Sequence, residues 1–535
     1  MTGSPEWMDQ MLKPTFYPEG TTKVDLVQTH ISWVFLCDEF VYKVKKPVDF
    51  GFLDFTTLEK REHFIREELR LNRRLCPEIY LECLPLQRLK DGSYALGEQG
   101  GVGEVVEWVL KMKRMPEAGM MQGMIRREEI GAGHLDRIVE RLVPFYRAAA
   151  TGGWVDEYGT LEKVWFNIQE NFDQTRPFLG DLLDEGKFQK IVRYNHDFVE
   201  ANKGLFEERI RGHMIREGHG DLYSANICFD EEKGDVYCFD CIEFNERFRC
   251  GDVACDLGFL AMDLDFHGLP WFEKQLVEGF SRGYGDEKLT LLMDFYKCYR
   301  AYVRAKIGCF MANDPGLDSA LREKAREDAR DYFALAYRYA GGLKGVRPTV
   351  YCFMGLSGSG KSTLAKDFSK ERGIKWFNSD IIRKEVICGV PKTERHIEPF
   401  GKGIYSEEVT RKTYRSLMRH AAREVLMGRS VAIDATYVDQ KERERLLGLE
   451  EFVECKVVFI ECALDEEVLK ERLKKRAESL GEPSDGRYEI YLAQKARQTP
   501  LDPEFERDRV VHIDTGGTRE ENLESLLGAL QAKGV

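Results

Sequence analysis

The spacing of apolar and polar positions divides the chain before any motif is read. Residues 39–46 alternate as a strand, which puts Lys43 and Lys45 on one face. Residues 57–75 have helical periodicity, with Glu67 and Glu68 in the middle. Residues 236–239 form an apolar, strand-like run that leads into Asp240. Residues 317–339 are helical and rich in charge. A second series then begins: an apolar strand at 350–354, a helix from 362 to 370, a strand from 375 that ends in Asp380, and a helix carrying Arg383. A third strand, 430–434, ends in Asp434, and 471–476 is helical. Between the two series lies a stretch punctuated by Gly341, Gly342, Gly345 and Pro348. It predicts a boundary near residue 345, with one module over 1–342 and another over 346–535.

Composition narrows the class. A chain of 535 residues, 43% hydrophobic and 32% charged, is globular and long enough for more than one core. Its net charge of -13 argues against an extended nucleic-acid footprint, though not against a local basic groove. No apolar run approaches the roughly 18 residues of a membrane span, and the first residues carry no signal-peptide pattern. The 14 cysteines lack the spacing of a small disulfide framework, so a cytoplasmic, reducing compartment is expected. Cys238 and Cys241 form a CxxC pair without a second pair at zinc-site spacing, and read as small buried thiols.

Two unrelated phosphate-handling patterns carry the chemistry. In the first, Asp221 and Asn226 stand four residues apart, and Asp240 follows at the end of an apolar strand. An aspartate and an asparagine at this spacing, with a later aspartate, suit phosphoryl transfer: Asp221 accepts the acceptor hydroxyl's proton, while Asn226 and Asp240 hold Mg²⁺ on the phosphates. Upstream, a strand lysine (Lys43 or Lys45) paired with a helix glutamate (Glu67 or Glu68) would grip the α- and β-phosphates of ATP. In the second pattern, Gly355, Gly358, Ser359 and Gly360 precede Lys361, Ser362 and Thr363, between a strand and a helix. That context makes it a Walker A loop whose backbone N–H groups cradle phosphates, with Lys361 on the β/γ-phosphates and Ser362 on Mg²⁺. Asp380 is the candidate base of this half, and Arg383 a candidate substrate clamp. Arg472 and Arg476, at i and i+4, are candidates for a lid, with a loop at 481–485 beyond them.

The residues around Asp221, Asn226 and Asp240, with Asp252 and Asp256 behind them, resemble the aminoglycoside phosphotransferase (choline kinase-like) family. The resemblance implies a bilobal kinase-like fold with an N-lobe over about 1–111, a hinge near 108–115 and a C-lobe over about 112–342. It implies that Asp221 is the general base, that Asn226 and Asp240 are the Mg²⁺ ligands, and that Asp252 and Asp256 are structural. This chain departs in two places: Tyr223 stands where many members have histidine, and residues 29–36 lack the glycines of a phosphate-covering loop. The second half resembles the P-loop kinases that include polynucleotide 5′-hydroxyl kinases, gluconate kinases and zeta toxins, with Lys361, Ser362, Asp380, Arg383, Arg472 and Arg476 matching. Asp434 matches a position whose role varies among members. The order of the two halves resembles a bacterial two-domain family of predicted kinases.

The expected fold is thus an α+β kinase-like module followed by an α/β doubly wound P-loop module. The expected function is a bifunctional ATP- and Mg²⁺-dependent phosphotransferase acting on hydroxyl groups of a small molecule, a sugar or a nucleic-acid 5′-end. The competing expectation is a regulatory or toxin-like protein whose first module senses or inhibits the second. Asp263 and Asp265 could form an acidic acceptor wall. Lys297, Arg300 and Arg304, on one helical face, are either a basic acceptor site or a solvated stripe.

Overall fold

The computed structural model describes residues 5–97, 103–396, 401–478 and 486–535. Among them, the first module opens with β1 (Asp25–Gln28), β2 (Ser32–Leu36), β3 (Phe40–Lys45), β4 (Tyr80–Arg88), β5 (Tyr94–Leu96) and β6 (Glu104–Lys113). They form one antiparallel sheet in the order β1-β2-β3-β6-β4-β5. Helix α1 (Leu58–Asn72) enters the sequence between β3 and β4, and Thr57 caps it by accepting from the Lys60 amide. One face of the sheet covers Trp7, Met8, Met11, Phe35 and Tyr42 in a core of its own.

The rest of this module is mainly helical. Two short hairpins interrupt it: β7 (Ile215–Glu217) with β10 (Cys250–Asp252), and β8 (Ile227–Asp230) with β9 (Asp235–Cys238). Four helices follow among the described residues, of which α2 (Val253–Phe266), α3 (Leu289–Ala312) and α4 (Ser319–Tyr339) matter below. Helix α2 is apolar on nearly every side and runs buried through the centre. This is the bilobal kinase-like architecture.

The second module is a parallel sheet with helices on both faces. Its strands are β11 (Thr349–Met354), β12 (Lys375–Asn378), β13 (Val431–Asp434), β14 (Lys456–Ala463) and β15 (Val510–Asp514), ordered β12-β13-β11-β14-β15. All six residues of β11 are buried, as a central parallel strand covered on both faces requires. The chain crosses from one side of β11 to the other, so the switch point lies at the carboxyl end of β11. There it turns through residues 355–360 into α5 (Lys361–Arg372). Helices α6 (Glu407–Leu426), α7 (Glu466–Glu478) and α8 (Tyr488–Arg497) complete the parts that matter below. This is a P-loop NTPase fold. No helix among the described residues is long and apolar enough to cross a membrane.

The two modules share a core. One apolar cluster runs from Ile65 and Leu257 in the first module to Leu417, Ala421 and Val431 in the second. Helix α6 carries the contact: Arg419 Nε donates to Glu128 Oε1 at 2.7 Å and Arg423 Nη2 pairs with Asp331 at 3.1 Å. The Arg423 guanidinium also lies 4.6 Å from the centre of the Phe266 ring. Gly268, with φ of +76°, abuts the Arg419 carbonyl where a β-carbon has no room.

Candidate functional sites

In the first module the strand period brings both lysines to one carboxylate. Lys43 Nζ donates to Glu68 Oε1 at 2.7 Å, and Lys45 Nζ to Glu68 Oε2 at 2.8 Å. The adjacent Glu67 lies elsewhere on the helix and binds Arg70. The lysines then diverge. Lys43 continues to Asp240 Oδ1 at 3.0 Å, whereas Lys45, fully buried, pairs with Glu243. Burial opposes the Lys43 charge, but Asp240 and Glu68 hold it ammonium well above the usual lysine range. Burial likewise pushes the Glu68 carboxyl up, and Lys43 and Lys45 override it, bringing it down to about 2. Glu243 had no motif to announce it.

The loop at 219–226 is held from below. Asp256 accepts from the amides of His219 at 2.7 Å and Gly220 at 3.0 Å, and receives Arg300 Nη2 at 3.3 Å. Arg300 Nη1 also donates to the Gly220 carbonyl at 3.0 Å. Above this base, Asn226 Nδ2 donates to Asp221 Oδ2 at 2.9 Å and to the Asp221 carbonyl at 3.0 Å, leaving the Asn226 amide oxygen for another partner. Burial pushes the Asp221 carboxyl up to about 6, against the pull of Arg304. Asp240 sits at φ of +64°, a conformation non-glycine residues rarely adopt, and its side chain is 47% exposed. The strained backbone thus presents the carboxylate outward, beside Lys43. Two oxygen donors, from Asn226 and Asp240, with a lysine nearby, fit a hard cation on phosphate.

In the glycine-poor segment at 29–36, residues 29–31 make a closed turn and the rest is strand β2. Thr29 Oγ1 accepts from the Ser32 amide at 2.9 Å, and Lys46 Nζ donates to the Thr29 carbonyl at 2.6 Å. The acidic wall expected from Asp263 and Asp265 is absent at those residues. Asp263 is buried and accepts from the Ser224 amide; Asp265 is buried against Lys297 and Tyr339. The basic stripe is not a solvated face either, because Lys297 and Arg300 are buried and paired with carboxylates.

In the second module, residues 355–362 wrap the carboxyl end of β11. A β-carbon on Gly355 would sit 2.6 Å from the Cys462 carbonyl, and Gly360 enters α5 at φ of +83°. The loop is braced: Thr515 Oγ1 donates to the Ser359 carbonyl at 2.6 Å, and Gln494 Oε1 accepts from the Ser357 amide at 2.9 Å. Arg472 on α7 reaches the same place and donates to the Thr515 carbonyl at 2.8 Å. The side chain of Arg476 and the loop at 481–485 lie outside the described residues. Lys361 is half-buried and Thr363 exposed.

Asp434 is the centre of this site. It receives Ser362 Oγ at 3.0 Å, Asn378 Nδ2 at 2.8 Å and Trp376 Nε1 at 2.6 Å. Burial raises its carboxyl above the usual range, with Lys361 opposing. The parallel register places it opposite Phe353, one residue before the end of β11. Ser362 and Asp434 offer the oxygen donors that fit Mg²⁺, and Asn378 orients the carboxylate through its Nδ2.

Asp380 lies past the strand, contrary to the reading from periodicity. β12 stops at Asn378, whose side chain accepts from the Ile381 amide at 2.9 Å and caps the short helix Ser379–Ile381. Asp380 is half-buried on that helix. Arg383 follows in a π-helical turn, Ile382–Ile387, and is buried. Its Nη1 donates to the Ile404 carbonyl at 3.0 Å and to Thr410 Oγ1 at 3.1 Å, so the guanidinium ties this turn to the start of α6.

Parts of the chain are similar to known proteins. Residues 350–501, from β11 through α8, match the AAA domain family. The uncharacterized protein Rv2004c of Mycobacterium tuberculosis is 29% identical over 501 residues, which is 94% of either chain. A choline/ethanolamine kinase family protein from Mesorhizobium loti is 14% identical, with a TM-score of 0.36, over 62% of this chain and 98% of its own. A sugar kinase from Janibacter is 22% identical, with a TM-score of 0.26, over 35% of this chain and 97% of its own. The chain is therefore similar over most of its length to the mycobacterial protein, and its second module is similar to the AAA domain family.

Proposed function

We propose that the protein is an ATP-dependent phosphotransferase with two separate nucleotide sites, each passing a γ-phosphoryl group to a hydroxyl acceptor. The observation that carries this reading is the repetition of one chemistry on two folds. Each site pairs candidate cation-binding oxygen donors with a lysine, and in each a further aspartate is the candidate base.

In the first site, Lys43, fixed by Glu68, would bind the phosphates, and Asp221, oriented by Asn226, would take the hydroxyl proton. In the second, the 355–362 amides and Lys361 would hold the phosphates, Arg472 would close over them, and Asp380 is the candidate base. Mg²⁺, held by Asn226 and Asp240 in one site and by Ser362 and Asp434 in the other, would neutralise charge on the transferring phosphoryl group. Positioning and charge complementarity by these side chains supply the rate. The acceptors are a small molecule or sugar, with a nucleic-acid 5′-end the alternative for the second site.

The test is nucleotide stoichiometry in the full chain. Calorimetry with a nonhydrolysable ATP analogue and Mg²⁺ is expected to give two sites. Asp240→Ala and Lys361→Ala should each remove one, and the double variant both. Lys361→Ala should also lower second-site transfer by about 10²-fold or more. A single site lost only in Lys361→Ala would leave the first module a sensor or scaffold.

A further inference from the structure

The cations of α3 are not equivalent. Lys297 meets Asp265 and Glu273, each at 2.8 Å, and Arg300 meets Asp256 at 3.3 Å. Arg304, one turn further along the same face, has no carboxylate within ion-pair distance among the described residues, and its Nε is buried without a partner. The fully buried arginines of this module have counter-ions: Arg61 has Glu107, Arg209 has Asp252 and Asp286, and Arg249 has Glu217. Arg304 is half-buried with its Nε out of solvent, and withdrawing a guanidinium from water without an anion is costly, so its placement needs a reason.

Its surroundings supply one. The guanidinium lies 4.9 Å from the centre of the Tyr223 ring and 5.7 Å from that of Tyr332. Tyr223 follows Asp221 by two residues and stacks on Phe259 at 5.3 Å, so the ring under Arg304 is itself fixed. Aromatic faces hold the planar fork in place without neutralising it. Asp221 is near enough for the two charges to influence each other. A preorganised, unneutralised arginine thus stands beside the candidate base of the first site.

We infer that the acceptor of the first site carries an anionic group, a phosphate or a carboxylate, which docks on Arg304 while its hydroxyl lies at Asp221. This rests on the phosphotransferase reading of that site. In the transfer, the acceptor oxygen forms a bond to the γ-phosphorus of ATP and the bond to the β-phosphate oxygen breaks. The hydroxyl proton passes to Asp221, and ADP departs with the bonding electrons. Cationic acceptors would meet Arg304 with like charge.

The experiment uses the full chain with both nucleotide sites filled by AMPPNP and Mg²⁺. Glycerol 3-phosphate, glycerate, glycerol and choline are titrated in turn by calorimetry. At least one of the two anions is expected to bind wild type about tenfold or more tightly than it binds Arg304→Gln. Glycerol and choline should not distinguish the two proteins. Which anion responds separates phosphate from carboxylate. Unchanged AMPPNP affinity in Arg304→Gln shows that the fold and nucleotide site persist. Equal anion affinity in the two proteins, or no preference of wild type for either anion over glycerol, overturns the inference. If Arg304→Gln fails to fold, Arg304→Met decides: it fills similar space without the charge, and undiminished anion affinity overturns the proposal. Failure of the parent reading looks different, as loss of the Asp240-dependent nucleotide.

Discussion

Glu67 and Glu68 are neighbours in sequence, and truncating them should have very unequal consequences. The Glu68 side chain is fully buried and carries both Lys43 and Lys45, while Glu67 is partly exposed and pairs with Arg70, itself 47% exposed. Glu68→Ala leaves Lys45, also fully buried, with Glu243 alone, and leaves Lys43 with Asp240 alone. Breaking a buried pair by removing one partner costs roughly 3–5 kcal/mol, because the remaining charge stays desolvated. The Glu67–Arg70 pair is worth roughly 0.2–1 kcal/mol. At roughly 2 °C per kcal/mol for a module this large, Glu68→Ala should lower the melting transition of the first module by about 6–10 °C, and Glu67→Ala by about 2 °C at most. Calorimetric melts of the full chain, with and without AMPPNP and Mg²⁺, measure both. The nucleotide should also protect Glu68→Ala less, since Lys43 loses its orientation. Because Glu68 titrates lower in the fold than in an open chain, its contribution is present near neutrality. It fades as pH falls from the ordinary glutamate range toward about 2. Equal melting losses for the two variants would refute the assignment of Glu68 as the shared anchor.

Other perturbations test the remaining parts. Asp221 must be ionised to accept a proton, and burial places its carboxyl at about 6, so first-site kcat/KM in a Lys361→Ala background should fall as pH drops through about 6. Asp221→Asn should abolish that dependence and cost about 10²–10⁴ in turnover, as a pH series on both proteins would show. Asp434 has a raised carboxyl and must be ionised to hold a cation with Ser362. Mg²⁺-nucleotide affinity of the second site should therefore weaken on acidification at a higher pH than an ordinary aspartate would give, and Asp434→Asn should remove the effect. Arg419→Ala leaves Glu128 buried without its cation at the module junction, a loss of roughly 3–5 kcal/mol visible as an earlier melt.

Much of the first site was legible because its residues are close in sequence or share a simple period. The Asp221–Asn226 spacing lies within one loop, and strand alternation alone put Lys43 and Lys45 on one face. Alternation could not say that one carboxylate would serve both, nor choose between adjacent glutamates about 100° apart on a helix. In the second module the loop at 355–362 was legible for the same local reason. Asp434 was visible as a strand-end aspartate, but its contact with Ser362 depends on β13 lying beside β11, which is a fact of sheet order. Periodicity also carried β12 too far, because the capping side chain of Asn378 ends the strand two residues before Asp380. The stripe on α3 shows the general limit. Helical spacing identified a common face, but its neutralising groups come from Asp256, Asp265 and Glu273 on other elements.

The junction between modules was the least legible, and it changes what the glycine-rich stretch before residue 348 means. Arg419 and Glu128 are 291 positions apart, and neither belongs to a motif. Yet Arg419 Nη1 also donates to the His267 carbonyl at 3.5 Å, and His267 Nε2 lies 3.5 Å from Ser224 Oγ in the catalytic loop. A helix of the P-loop module is therefore two contacts from Ser224, in the 219–226 loop of the other module. The glycines mark where the chain turns, not where cohesion ends, because the apolar cluster continues across the turn through Tyr332, Ala336 and Leu417. Cutting there would uncover that surface and leave Glu128 and Asp331 without the arginines that neutralise them. The chemistry of each site is local, but the scaffold that holds the first catalytic loop is built from both halves of the chain.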